Sequence, residues 1–149
     1  MKKLEPILQQ QTASGLYRFT SRAKPDSIMA EIAEHGWQGF YIDGRQVTDK
    51  QSFFTTASQA ISFPGYFGNN WDAFEECIRD LAWFREENAP KGYVVLYDQV
   101  VRLARRDSQS WAMVQATLTE AVEFWQTENT PFYVLFRGTW WYARGMPKV

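Results

Sequence analysis

The sequence contains few of the residues that most often carry catalysis or bind metals. In 149 residues it has one cysteine, Cys77, and one histidine, His35. A single cysteine excludes an intramolecular disulfide, and so small a set of ligands excludes the usual cysteine and histidine zinc sites. We identify no Ser/His/Asp or Cys/His pair and expect neither enzymatic activity nor a cofactor or metal. Cys77 lies on the apolar face of a predicted helix, so we expect a core residue rather than a nucleophile.

Long apolar runs and an excess of one charge are also missing. No stretch approaches the roughly 20 apolar residues that span a bilayer, and the start of the chain does not resemble a signal peptide. The formal net charge is −1, so no overall field draws the protein to nucleic acid or membrane. We therefore expect a cytoplasmic protein, a monomer, that binds neither.

Aromatic residues, in contrast, are abundant. They make up 17% of the chain and include seven tryptophans, more than a core of this size needs, so some rings are available for an interface. The run Trp140-Trp141-Tyr142 precedes Arg144 near the end of the sequence. We expect it to pack back on the core, with a second contact site as the alternative.

The chain predicts a single α/β domain over residues 1–149. Residues 1–14 are polar and are expected to form a flexible arm. A strand and a helix follow over 15–36, and the core covers 37–137. Strands are predicted at 15–20, 37–42, 93–97 and 132–136. Helices are predicted from Pro25, from the capping box Thr48-Asp49-Lys50-Gln51, from Asn69 or Asn70, and from Asp107 or Ser108. This order favours a mostly parallel sheet of about four strands covered by helices.

The most distinctive stretch is a loop rich in proline, glycine and aromatic residues that runs into a helix, residues 63–81. At about 100° per residue, one side of this helix is apolar: Phe74, Cys77, Ile78, Leu81 and Phe84. The other side carries Asp72, Glu75, Glu76, Arg79 and Trp83. Residues 65–90 hold six acids against two arginines, so this patch favours a basic partner. An ordinary solvated helix face is the simpler alternative. Paired-carboxylate catalysis is disfavoured because the face is exposed, and RNA binding is disfavoured because it is acidic.

The string Pro64-x-Tyr66-Phe67-Gly68-x-Asn70-x-Asp72-Ala73-x-x-Glu76-Cys77 resembles the barstar family, the intracellular inhibitors of barnase-type ribonucleases. The order of elements from about Gly39 to Phe136 is similar as well. The resemblance implies a protein that plugs the active site of a basic, extracellular-type ribonuclease or related toxin with an acidic helix and the preceding loop. The first 36 residues have no counterpart in the minimal family member and would add a strand and helix at the sheet edge.

Carried onto this sequence, the resemblance implies a partner-binding site of eight residues: Tyr66, Phe67, Gly68, Asn70, Asp72, Glu75, Glu76 and Arg79. Asp72 and Glu76 match the family's two acid positions, and Tyr66 matches its loop aromatic. Gly68 and Asn70 match residues that shape the loop, and Arg79 matches a further contact. Glu75 stands where the well-studied inhibitor has tryptophan, and Glu76 is one methylene longer than the aspartate there. A barstar-like module with a different basic partner is therefore the alternative.

Overall fold

The computed structural model describes residues 3–65, 67–84 and 89–149. Its four strands are β1 (Gly15–Arg18), β2 (Gln38–Asp43), β3 (Tyr93–Asp98) and β4 (Phe132–Phe136). Its helices are α1 (Glu5–Leu8), α2 (Pro25–Glu34), α3 (Lys50–Ala60), α4 (Trp71–Asp80), α5 (Val101–Arg106) and α6 (Ser108–Thr127). Single 3-10 turns occupy Gly44–Gln46 and Trp140–Ala143.

The strands form one parallel sheet in the order β1-β4-β3-β2. The two central strands, β3 and β4, are buried along their whole length, as expected for apolar runs covered on both faces. Tyr93 at the start of β3 is in register with Gln38 of β2 and Phe132 of β4. The prediction of a small α/β domain with a four-stranded parallel sheet is confirmed, and β1 lies at the edge beside β4.

Each face of the sheet carries its own core because successive strand residues point to opposite sides. Val95 and Tyr97 of β3 pack with α3, α4, α5 and α6. Val94 and Leu96 of the same strand pack with α1 and α2. The segment before residue 37 therefore supplies both the edge strand and the cover of the second face.

The flexible arm predicted for residues 1–14 is wrong for most of that segment. Leu4 and Ile7 are fully buried in the second core. Because they are three residues apart, one helical turn places both side chains on the side that faces the sheet. The Ser14 hydroxyl accepts a hydrogen bond from the backbone N–H of Phe132 at 3.2 Å. The polar composition of this segment concealed the two residues that anchor it.

Two further local expectations differ from the structure. Asp49, rather than Thr48, caps α3, and its carboxylate accepts the backbone N–H of Ser52 at 2.8 Å in a reciprocal capping box. Helix α5 was not predicted, because its six residues run directly into Asp107, which caps α6 through the N–H of Ser110 at 3.0 Å.

The C-terminal aromatic run does not pack as expected. Trp140 and Trp141 are 59% and 56% exposed, and only Tyr142 is partly buried against the core. The expectation of packing is therefore wrong for both tryptophans.

Candidate functional site

Helix α4 is fixed to the domain by one apolar face. Phe74, Cys77 and Ile78 are buried, and the indole N–H of Trp125 on α6 donates to the Ile78 carbonyl at 3.0 Å. The side chain of Asn70 accepts the backbone N–H of Ala73 at 2.8 Å, so Asn70 rather than Asn69 is the N-cap. The cap defines where the helix starts, and the buried apolar face and the bond from Trp125 fix the helix to the domain.

The helix ends earlier than the periodicity predicts. Leu81 has φ +48°, a left-handed conformation that stops the helix after Asp80. Trp83 consequently leaves the acidic side, where it was expected, and its indole N–H donates to the Ile61 carbonyl at 3.3 Å. Its ring lies edge-on to Phe63, with 6.3 Å between centroids.

The loop before α4 is held by aromatic rings. Phe67 packs edge-on against Phe63 at 5.2 Å and against Phe54 of α3 at 5.9 Å between centroids. Trp71 packs against Phe54 at 4.8 Å. Phe67 is thus half-buried as a brace between α3 and the loop, and the predicted loop aromatic Tyr66 lies outside the described residues.

Gly68 and Asn70 shape the last turn of this loop. The Asn70 amide donates to the Gly68 carbonyl at 3.3 Å while its oxygen caps α4. A Cβ at position 68 would lie 3.3 Å from that amide nitrogen, a close contact that a larger residue would have to relieve. Both residues are exposed and set the direction in which α4 starts.

Three exposed carboxylates form a row along α4: Asp72, Glu76 and Asp80. Their spacing of four residues keeps them within about 80° of one another around the helix. Asp80 lies outside the positions of the family motif, so the motif does not identify it. Its signal was the repeat of the same four-residue interval beyond Glu76. We call Asp72, Glu76 and Asp80 the acidic row.

Glu75 and Arg79 lie beside the acidic row as a pair. Arg79 Nη2 is 3.5 Å from Glu75 Oε1, and the guanidinium lies 5.7 Å from the centre of the Phe124 ring on α6. Arg79 Nε is buried and has no hydrogen-bond partner within the described part of the chain. Arg79 is therefore folded onto the protein, and it offsets the charge of Glu75 rather than that of the acidic row.

The site has little capacity for covalent or metal chemistry. Burial of the Cys77 thiol, followed by the charges of Asp80 and Glu76, raises its pKa, so the thiol stays protonated. Across residues 3–65, 67–84 and 89–149, no group of three or more His, Cys, Asp or Glu side chains could hold a metal ion. No helix in the same residues is long and apolar enough to cross a membrane.

A comparison with protein-family models identifies the fold that carries this site. Residues 37–137 match the model of Barstar (barnase inhibitor). The chain belongs to the barstar family. The match covers the loop, α4 and the sheet strands β2, β3 and β4, and it starts after α1, β1 and α2. No curated protein matches the chain. Barstar-family members are inhibitors rather than enzymes, and the family indicates a protein-binding role for this chain.

Proposed function

We propose that this protein inhibits a basic, extracellular-type ribonuclease or related toxin by covering its active site with α4 and the preceding loop. The acidic row is the observation that carries the proposal. Nuclease sites concentrate cations that hold phosphate. Three carboxylates on one helix face, none with an ion-pair partner in the described part of the chain, complement such a site. The family match supports the same partner class. In this role the protein acts as a monomeric antitoxin or immunity protein in the cytoplasm.

The rigidity of α4 favours tight binding. Asn70 fixes its start and the bond from Trp125 to the Ile78 carbonyl fixes its other end. Carboxylates on a helix fixed in this way lose less conformational freedom on association than carboxylates on a mobile loop. The charges therefore approach the partner already positioned.

The loop residues contribute in two different ways. Phe67 braces the loop from within, and Gly68 with Asn70 sets its final turn. Tyr66 is proposed to contact the partner on the strength of the family motif alone. Phe67→Ala is expected to weaken inhibition indirectly, by loosening the loop.

The decisive experiment measures inhibition of a barnase-type ribonuclease by the protein and by its Glu76→Gln variant. Glu76 is central in the acidic row, and neutralising a charge that becomes buried in an interface costs about 2–5 kcal/mol, a range measured in part on barnase and barstar themselves. At about 1.4 kcal/mol per tenfold, the inhibition constant should rise by roughly 30-fold or more. Inhibition by the unmodified protein should also weaken between low and high salt.

The matched control is Glu34→Gln. Glu34 is an exposed glutamate at the end of α2, which covers the opposite face of the sheet. The substitution Glu34→Gln changes the net charge by the same amount as Glu76→Gln and should leave inhibition unchanged. Absence of inhibition at micromolar protein, across barnase-type ribonucleases, would count against the proposal. Equal losses for Glu34→Gln and Glu76→Gln would also refute the assigned surface.

The pair of Glu75 and Arg79 favours a second candidate, a barstar-fold module for a different basic partner. The pair places a cation beside the acidic row and a carboxylate where the well-studied inhibitor has tryptophan. A partner selected by this surface would be basic but not a ribonuclease. Capture of such a purified partner, lost with Asp72→Asn and Glu76→Gln, together with absent ribonuclease inhibition, would favour this candidate.

A further inference from the structure

A second charged surface lies along the edge of the sheet that is formed by the carboxyl ends of its parallel strands. In a parallel sheet, the segments that follow all the strands emerge at one edge, where open α/β folds commonly bind ligands. Three segments emerge here from the neighbouring strands β1, β4 and β3: residues 18–24, 137–149 and 99–106. Each carries three cations and no acid. We call these three segments the cationic edge.

Hydrogen bonds join the three segments into one surface. The backbone N–H of Arg18 donates to the Pro147 carbonyl at 2.9 Å, and that of Val101 donates to the Gly138 carbonyl at 2.9 Å. The side chain of Arg137 reaches from the middle segment to the Ser21 carbonyl at 3.1 Å. Segments from opposite ends of the sequence, 18–24 and 137–149, therefore meet side by side, and 99–106 adjoins the second of them.

Few of these cations are neutralised. Arg137 is paired with Asp98. None of the other eight forms an ion pair with a carboxylate in the described ranges: Arg18, Arg22, Lys24, Arg102, Arg105, Arg106, Arg144 and Lys148. The acids nearest to the three segments along the chain are Asp98, which Arg137 neutralises, Asp26 in the first turn of α2, and Asp107, which caps α6. The edge is therefore strongly positive although the chain as a whole carries −1.

The two most exposed aromatic side chains in the described part of the chain lie in the middle segment. Trp140 and Trp141 are 59% and 56% exposed, with 5.6 Å between their ring centroids. Trp140 has φ +49°, a left-handed conformation that residues other than glycine rarely adopt. Neither ring is buried, and the backbone conformation of Trp140 is one that tryptophan rarely adopts, so both rings are candidates for ligand contact.

We propose that the cationic edge binds single-stranded nucleic acid. Exposed rings among arginines match the alternation of base and phosphate along a single strand, because bases stack on aromatic faces and guanidinium groups pair with phosphates. A duplex offers no free base faces to Trp140 and Trp141. This inference departs from the expectation drawn from whole-chain charge, and it does not rest on the proposed inhibition, because the acidic row is a different surface.

The test measures binding of fluorescein-labelled 12-residue oligouridylate and oligothymidylate by fluorescence anisotropy over a series of salt concentrations. Both oligonucleotides should bind, and affinity should fall with salt, with a logarithmic slope of about −0.7 for each phosphate neutralised. Replacing Trp140 and Trp141 together by alanine should weaken binding by about tenfold or more, because base stacking on one ring contributes a several-fold effect. Arg105→Gln should reduce the salt slope by about 0.7.

Three controls separate this site from general attraction to anions. Met113→Ala removes an exposed apolar side chain from α6, and Lys91→Gln removes an exposed cation just before β3, at the opposite edge of the sheet. Glu76→Gln alters only the acidic row. None of the three should change affinity by more than about twofold, a difference within surface-mutation scatter. If Lys91→Gln reduced the affinity for the oligonucleotide as strongly as Arg105→Gln, the assignment of the binding site to the cationic edge would be wrong.

Competition decides between ligand classes. Polyglutamate and vesicles containing anionic phosphatidylglycerol are added to the labelled oligouridylate complex. Neither should displace it at equal concentration of negative charge. Absence of oligonucleotide binding, binding indifferent to Trp140 and Trp141, or equal displacement by polyglutamate or vesicles would refute the proposal. The last outcome would assign the edge to an acidic protein or a membrane surface instead.

Discussion

Breaking the buried ion pair of Asp98 and Arg137 should destabilise the domain far more than breaking an exposed pair at the same edge of the sheet. Their side chains are only 12% and 14% exposed. Arg137 donates to both carboxylate oxygens of Asp98 and also to the carbonyls of Ser21 and Ala23. The pair therefore joins the ends of β3 and β4 to the segment between β1 and α2.

Arg137→Leu removes all of these hydrogen bonds and leaves the Asp98 carboxylate buried without its counter-charge. Tyr41 still donates to Asp98 at 2.9 Å, which offsets part of the loss. Breaking a buried pair by removing one partner typically costs about 3–5 kcal/mol. The free energy of unfolding of a native domain is about 5–15 kcal/mol. The variant should therefore lose a large fraction of its stability.

The measurement is urea unfolding followed by tryptophan fluorescence and by far-UV circular dichroism. The matched control is Arg45→Leu, because Arg45 also pairs with an aspartate at the end of a strand, Asp43 of β2 at 2.8 Å, but is 71% exposed. An exposed pair contributes little, so the control should keep its urea midpoint. The double change Asp98→Asn with Arg137→Leu should be less destabilised than Arg137→Leu alone, because no buried charge is left. A midpoint for Arg137→Leu no lower than that of Arg45→Leu would refute this reasoning.

Four further predictions concern single positions. Asn70→Ala should lower the free energy of unfolding by about 1 kcal/mol through loss of the α4 cap, whereas Asn70→Asp should retain it in the same urea assay. Ile7→Ala should cost about 2–5 kcal/mol because the side chain is fully buried, and a neutral result would restore the flexible arm. Cys77 should react with a thiol reagent at pH 8 only when the protein unfolds, since burial protects it and raises its pKa; fast labelling of the folded protein would contradict this. Hydrogen bonds from Ser110 lower the pKa of Asp107, so its contribution to stability is complete above its unfolded pKa of about 3.9 and is lost as pH falls through the folded value. Asp107→Asn should therefore make unfolding less sensitive to acid, and an unchanged acid profile would contradict that assignment.

Much of the fold follows from local patterns. The short apolar runs at 93–97 and 132–136, rich in β-branched and aromatic residues, favour strands covered on both faces, and β3 and β4 confirm this prediction. The helix from Pro25 and the strand from residue 38 follow from equally local signals. What these patterns could not show is where a short segment packs, and residues 4–14 illustrate this. The two apolar side chains of that segment are informative only once the sheet face they cover exists.

The two charged surfaces differ in the same respect. The acidic row and its loop lie within residues 63–80, a contiguous stretch. In one loop and one helix the spacing along the sequence determines which side chains lie together, so a motif can identify the site. The cationic edge is assembled from three segments spread from residue 18 to residue 149, each with a modest charge of its own. They become one surface because parallel strands bring every carboxyl end to the same edge and because β1 lies next to β4 rather than next to β2. A sum over composition sets the cations of the edge against all the acids of the chain, those of the acidic row among them, so a net charge of −1 describes neither surface. For a parallel α/β domain, charge is therefore better compared edge by edge than along the chain. The extra strand β1 matters here because it places residues 18–24 beside the segment 137–149, which carries the exposed tryptophans.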